Sequence, residues 1–488
     1  YGNETQHTVN ASVMEEKVCV SVERADLGSS DAILFTPDSY FYVVCNVTYG
    51  NAILSQQYTS MTQESLEWKE TLCFADLRIC DIVPGMLMEC KLICRLSSTY
   101  AEYADTVEAG DIEIASFSLP LLREDYSLRK GNCSLRKDFS SSISEPTSSS
   151  PGAFQVEEIQ LLLLINSSDE GRVVYRFNVD ETCTTSPSNI STNQGVLGEL
   201  KNSSDATSPE QLEHLWQEKT LLTPSALLLY RLNQCLYKNP AGMVTELYDL
   251  LNNWNSRNVK LNSFEVLTLL TPEVVDPVVR MYAVHHLESM NDESLHDILM
   301  LLVKSLEYEQ FNSSALSSFL LRRCLSSVSL GVRLFWLVKG MKSSNRVTSL
   351  ALKYVYLCPV SHLQVIFKQT EFNSIMHGLH EHIIISTRHP HRSDRLKEIL
   401  RHSKYSLLPD FFQCTQDLEN IKPEECFVFD SKRLPIAIRA NSYGLIFSEG
   451  KDLHPHMLFY CISKAITRIW NKNNFNTFGF AGKSIAIG

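Results

Sequence analysis

Residues 276–336 read DPVVRMYAVHHLESMNDESLHDILMLLVKSLEYEQFNSSALSSFLLRRCLSSVSLGVRLFW, a stretch patterned for helices packed on helices. Within it Leu295, Ile298, Leu299, Leu302, Val303 and Leu306 recur at a spacing that places them on one helical face. Segments of similar length and pattern lie on both sides: LEHLWQEK, SALLLYRLNQCLY, VTELYDLLNNW and FEVLTLL. They recur without a strict period, which predicts stacked helical pairs of the solenoid, armadillo-like kind from 208 to 365. The block opens at Ser208-Pro209-Glu210-Gln211, with a Ser N-cap, Pro at the first helical position and an acid in the first turn.

Upstream the period changes from 3.6 to 2. VCVSVER, FYVVCNVTY, LEWKETLCF, MECKLICRL, DIEIASFSL, IQLLLLI and RVVYRFNV are short β-branched or alternating runs separated by turn residues, which predicts an antiparallel β-sandwich over 1–179. DFSSSISEPTSSSPG at 138–152 reads as a long loop between strands, and the Ser/Thr/Asn-rich 180–207 as an interdomain linker. SLRKGNCSLRKDF at 127–139 reads as a basic surface loop that could face a membrane.

Downstream, 366–488 mixes helices with the strands ECFVFDS, LPIAIRA and YGLIFS, and predicts a smaller α+β lobe. The whole is a multidomain chain, sandwich then solenoid then mixed lobe.

The 488 residues carry 44 Lys+Arg against 56 Asp+Glu, a net charge of −12, which argues against broad nucleic-acid binding. No apolar run reaches the ~18 residues needed to span a bilayer. Fourteen cysteines stand in no paired spacing, mostly inside apolar runs, and fit reduced buried thiols of a cytosolic protein. Six histidines between 377 and 402 (His377, His380, His382, His389, His391 and His402) lack the Cys or acid that would complete a metal spacing and read as a solvated basic face. Gly482-Lys483-Ser484 lacks the first glycine of a phosphate loop, since Thr477 stands there.

The opening stretch resembles the helical accessory domain of phosphoinositide 3-kinases. The resemblance runs through Asp276, Val279-Arg280, Ala283-Val284, Asp292 with Leu295, Leu306 with Tyr308-Glu309, Phe319 to Leu321 with Arg323, and Phe335-Trp336. The family's order of domains implies that the sandwich is C2-type and that 366–488 is part of a kinase small lobe. In that lobe IKPEECFVFDSKRLPIAI resembles the phosphate-binding segment, and the resemblance assigns Ser431 and Lys432 to ATP phosphates. Ile446 and Asp452 match further ATP-site positions.

The family's next motif is Ile-Phe-Lys followed by an acid-rich helix start. Here the chain reads Ile446-Phe447-Ser448, Glu449-Gly450, then Lys451-Asp452-Leu453-His454-Pro455-His456. Ser448 stands at the family's lysine and His456 at its acid, the two halves of one ion pair that holds ATP phosphates. The resemblance implies Mg-ATP-dependent phosphorylation of the inositol 3-hydroxyl of phosphatidylinositol lipids, at the cytoplasmic face of a membrane and with a regulatory subunit as partner. Ser448 and His456 weigh against catalytic competence and in favour of a pseudokinase scaffold that binds regulators. The family's catalytic Asp-Arg-His and metal-binding Asp-Phe-Gly fall beyond Gly488, so the 488 residues read as an excerpt of a longer chain.

Overall fold

In a computed structural model the described residues are 8–10, 14–26, 39–63, 65–96, 111–138, 158–165, 172–174, 209–340, 344–386, 391–402, 407–411, 414, 418–441, 443–448 and 454–472. They fall in two compact units, Tyr1–Ala283 and Val284–Gly488.

The first unit begins with strands β1 (Thr8–Asn10), β2 (Lys17–Asp26), β3 (Ser39–Tyr49), β4 (Ala52–Tyr58), β5 (Glu67–Arg78), β6 (Met86–Leu96), β7 (Asp111–Pro120), β8 (Gly131–Asp138), β9 (Glu158–Ile165) and β10 (Arg172–Val174). They form two antiparallel four-stranded sheets, β5-β2-β9-β8 and β4-β3-β6-β7, and a short parallel pair, β1-β10. Alternation predicts this well. Val18, Val20 and Val22 of β2 are buried while the residues between them are half-exposed. β3 is buried along nearly its whole length, as befits a central strand paired on both sides.

Two expectations fail in the sheets. Most of the segment read as a basic loop, 127–139, is strand β8, paired residue for residue with β9. Its face alternates only between half-buried and exposed positions, so an edge strand of this kind carries no hydrophobic period to read. Thiol chemistry differs too: Cys19 and Cys73 face each other across β2 and β5, Cα atoms 4.2 Å apart, and are joined by a disulfide. Cys45 and Cys90 form a second cross-strand pair, fully buried, with sulfurs 3.6 Å apart and unbonded.

Helices follow: α1 (Pro209–Gln217), α2 (Ala226–Cys235), α3 (Pro240–Ser256), α4 (Pro277–Leu287), α5 (Asp292–Ser305), α6 (Ala315–Ser326), α7 (Val328–Gly340), α8 (Asn345–Leu357), α9 (Val360–Ser386) and α10 (Arg392–Leu400). Capping follows the sequence where Ser225, Asn239, Asn291 and Ser314 each accept a backbone N–H of the first turn. FEVLTLL is a 3₁₀ turn, Glu265–Leu270, and not an α-helix. Ser208 and the linker 180–207 lie outside the described residues, as do 139–152 of the predicted loop.

Within the first unit one buried carboxylate ties the sheets to the helices. Asp276 is fully buried and precedes α4, where its Oδ1 accepts the N–H of Val278 (2.8 Å) and Val279 (3.0 Å). Its Oδ2 accepts the hydroxyls of Tyr248 on α3 (2.7 Å) and Tyr49 at the end of β3 (3.4 Å). Burial pushes the Asp276 carboxyl up to about 6, against four hydrogen bonds that lower it. Gly85, at φ +103°, lets the Tyr49 ring pass: a Cβ there would lie 2.9 Å from that ring.

The second unit ends in an α+β lobe: β11 (Leu407–Pro409) with β12 (Leu418–Asn420), a meander of β13 (Phe427–Val428), β14 (Ile436–Arg439) and β15 (Gly444–Phe447), and helix α11 (His454–Lys472). Met376, Leu379 and Ile383 of α9 share one core with Leu396 and Leu400 of α10 and Ile436 and Ile438 of β14. No single helix among the described residues is long and apolar enough to cross a membrane.

Candidate functional site

Most of the residues assigned from sequence lie on or beside the β13–β14–β15 meander. Ser431 and Lys432 lie exposed in the turn between β13 and β14. That turn is closed by Phe429 N–H to Pro435 O (2.8 Å), Ser431 N–H to Phe429 O (3.0 Å) and Leu434 N–H to Ser431 O (3.0 Å). Leu434 takes φ +47°, a left-handed conformation that a branched side chain adopts at a cost of about 1–2 kcal/mol. Ile446 pairs with Ala437 and points outward, 66% exposed.

Ser448 follows the last residue of β15, half-buried, and His456 lies exposed in the first turn of α11. Asp452 lies outside the described residues.

Two histidines that sequence reasoning placed on a solvated face belong to this site. His380 is 4% exposed, and its Nε2–H donates to the Arg433 carbonyl in the β13–β14 turn (3.2 Å). The rings of His377 and His380 pack edge-on against Phe447, with centroids 5.2 and 6.0 Å away. Helix α9 therefore holds both the turn bearing Ser431 and Lys432 and the strand end that leads into Ser448. His382, His391 and His402 are exposed as expected, and His389 lies outside the described residues. Nothing local marks His377 and His380, because their partners lie 53 or more residues along the chain.

Helix α11 is anchored on its other side. Met457 and Cys461 are buried, and Lys464 Nζ sits 2.9 Å from Asp297 Oδ1 on α5. Burial lowers the pKa of the nearby Arg333, with Asp297 among the groups opposing the shift.

The motif residues of the helical block also acquire physical roles. Arg323 on α6 donates to Asp292 at the start of α5 (2.5 Å) and to the Met290 carbonyl (2.9 Å). That guanidinium holds the Asp292 carboxyl below its ordinary range. Arg280 is buried and donates to the Thr271 and Val274 carbonyls. Trp336 donates its indole N–H to Gln369 Oε1 (2.6 Å), tying α7 to α9.

Among the described residues no group of three or more His, Cys, Asp or Glu side chains could hold a metal ion.

Comparison with known proteins follows the same lines. Residues 202–366 match the accessory (PIK) domain of the phosphoinositide 3-kinase family. Phosphatidylinositol 3-kinase 1 of Dictyostelium discoideum is 27% identical over 59% of this chain and 19% of its own length. Phosphatidylinositol 3-kinase pik3 of Schizosaccharomyces pombe is 26% identical over 56% of this chain and 37% of its own length. The Pongo abelii phosphatidylinositol 4-phosphate 3-kinase C2 domain-containing subunit alpha is 23% identical over 89% of this chain and 27% of its own length. The chain thus spans well under half of each of these relatives. Residues 202–366 thus carry the accessory domain of the phosphoinositide 3-kinase family, and the chain resembles divergent phosphatidylinositol 3-kinases over most of its length.

Proposed function

We propose that the chain supplies the C2-type sandwich (1–179), the solenoid-like helical accessory domain (208–365) and part of the kinase small lobe (366–488) of a phosphoinositide 3-kinase family protein. The family reaction is ATP-dependent phosphorylation of the inositol 3-hydroxyl of phosphatidylinositol lipids, at the cytoplasmic surface of a membrane and under a regulatory subunit. The two four-stranded sheets support the C2-type reading, as does the likeness over 89% of the chain to a relative named for its C2 domain.

The observation that carries the reading is the pair of residues flanking 449–453. Ser448 follows the end of β15 and His456 lies in the first turn of α11; by the resemblance these are the positions where a lysine and an acid would hold ATP phosphates. Lys432 in the exposed turn is a cation suited to phosphate, whereas Ser448 has neither the reach nor the charge. The residues present fit the phosphate end of ATP only in part, and no phosphoryl-transfer step is assigned to them. Removing one electrostatic stabiliser from such a site costs about 10²–10³ in rate.

A second reading, a non-catalytic scaffold that engages regulators through its sandwich and helical block, is favoured by one contrast. The ties at Asp276 and between Asp292 and Arg323 are present, while by the resemblance Ser448 and His456 replace both halves of the family's ion pair.

Calorimetric titration of Mg-ATP into wild type and into Ser448→Lys/His456→Asp tests the proposal. At least tenfold tighter binding by the double variant is expected. Equal affinity would show that Ser448 and His456 are no defect.

A further inference from the structure

Helices α8 and α9 meet at an angle of 112° across Cys358-Pro359. The corner is held rigidly from inside. Tyr354, fully buried, lies 2.9 Å through its hydroxyl from His362 Nδ1, and the side chain of Gly331 is absent where any Cβ would collide with both rings. Outside, the same corner presents Leu352, Tyr356, Leu357, Val360 and Phe367, which are 53% to 89% exposed.

Leu352 and Tyr356 are one turn apart on α8, Val360 and Phe367 two turns apart on α9, and Tyr356, Leu357 and Val360 sit at the bend itself. Scattered exposed apolar residues need no explanation, but five along one bend form a patch. An 89% exposed Tyr356 marks a convex projection rather than a groove, so the corner is shaped to enter something softer than itself.

Charge identifies what that is. From 310 to 370 the chain has no Asp or Glu and eight Lys or Arg, in a protein of net charge −12. Arg346, Lys353 and Lys368 lie on the two helices that form the corner. Lys353 donates to a neutral oxygen, the Ser313 hydroxyl, whereas Arg346 donates to the Glu307 carbonyl and also feels the Glu309 carboxylate. A projecting aromatic and aliphatic tip on a cationic base suits an anionic bilayer: the tip enters the boundary between headgroups and acyl chains, and the base attracts acidic lipids.

We propose that the α8–α9 corner is a membrane-docking element that inserts Tyr356, Leu357 and Val360 into an anionic lipid surface. It deepens the peripheral-membrane part of the reading above, yet stands on exposure and charge and requires no phosphoryl transfer.

The test is co-sedimentation of the full chain, without nucleotide, with vesicles of phosphatidylcholine containing about 30% phosphatidylserine. Binding that weakens on raising salt to about 0.5 M is expected. Tyr356→Ser/Leu357→Ser/Val360→Ser should lower partition about 100-fold with an unchanged melting temperature, since these side chains are solvent-exposed. Lys353→Glu/Lys368→Glu should lower it about tenfold on anionic vesicles and little on pure phosphatidylcholine.

Failure of wild type to bind, or wild-type binding by the triple variant, overturns the proposal. So does a concentration-dependent dimer that the triple variant abolishes, which would assign the corner to a second copy. A kinase-inactive protein that still binds vesicles through this corner would leave it standing.

Discussion

Replacing Asp276 by Asn should change how the protein's stability depends on pH, and by an amount that follows from the carboxyl's surroundings. Asp276 is fully buried and its carboxyl is raised from 3.8 to about 6. In the unfolded chain it titrates near the ordinary value, so between about pH 4 and 6 the native state binds more protons than the unfolded state. Stability from this group is therefore fully present below about pH 4 and is lost as pH rises through the folded value. About two pH units at about 1.4 kcal/mol each give about 3 kcal/mol.

Asn keeps the shape and the acceptor for the Val278 and Val279 N–H groups, and its amide can donate to the Tyr248 hydroxyl, but it does not titrate. The wild-type advantage over Asp276→Asn should thus be larger at pH 4.5 than at pH 7.5. About 2 kcal/mol of that falls between pH 4.5 and 7.5, so at about 2 °C per kcal/mol for a unit of this size the two melting temperatures should close or cross by about 4 °C. The assay is differential scanning fluorimetry of both proteins across that range. A difference constant to within about 1 °C, or one that grows with pH, would refute the assignment of a buried, destabilised carboxylate.

Other consequences follow from single contacts. Arg323→Ala removes the donors to Asp292 and to the Met290 carbonyl and should cost about 1–2 kcal/mol in chemical denaturation. Because Asp292 is held below its ordinary range, that cost should shrink as pH falls through its folded value, and an unchanged denaturation midpoint at pH 7 would contradict the tie. Peptide mapping without reductant should recover Cys19 linked to Cys73, and Cys19→Ser/Cys73→Ser should lose up to about 4 kcal/mol, the chain-entropy value for a separation of 54 residues. Two freely alkylated thiols in the native protein would exclude the link. His380→Ala should free the Arg433 carbonyl and speed amide exchange of Ser431 and Leu434 about fivefold, while His380→Gln, which can still donate, should restore part of the protection. Unaltered exchange in both variants would mean that α9 does not position the turn.

Much of this architecture was legible because it rests on local periods. β2, β3, β5, β6, β7 and β9 show as β-branched runs, and α5 shows as a single apolar face. The motif residues Asp276, Asp292 and Arg323 were legible as a pattern, but their work as a helix cap, a tyrosine acceptor and an interhelical tie was not, since the partners lie on other elements. β8 escaped because its two faces differ little in polarity. Cys19 and Cys73 escaped because register, not spacing, brings them together. His377 and His380 escaped for the same reason: a histidine shows no local sign of the carbonyl or ring it will meet. Ser448 and His456 were placed at a strand end and a helix start from sequence alone, where the structure has them.

The most direct measurement is phosphatidylinositol kinase activity of the protein expressed from its complete gene, comparing wild type with Ser448→Lys/His456→Asp. The proposal that Ser448 and His456 replace the family's phosphate-holding lysine and acid predicts wild-type turnover at least about 100-fold below that of the double variant. Substantial wild-type turnover that the double substitution leaves unchanged would contradict the account.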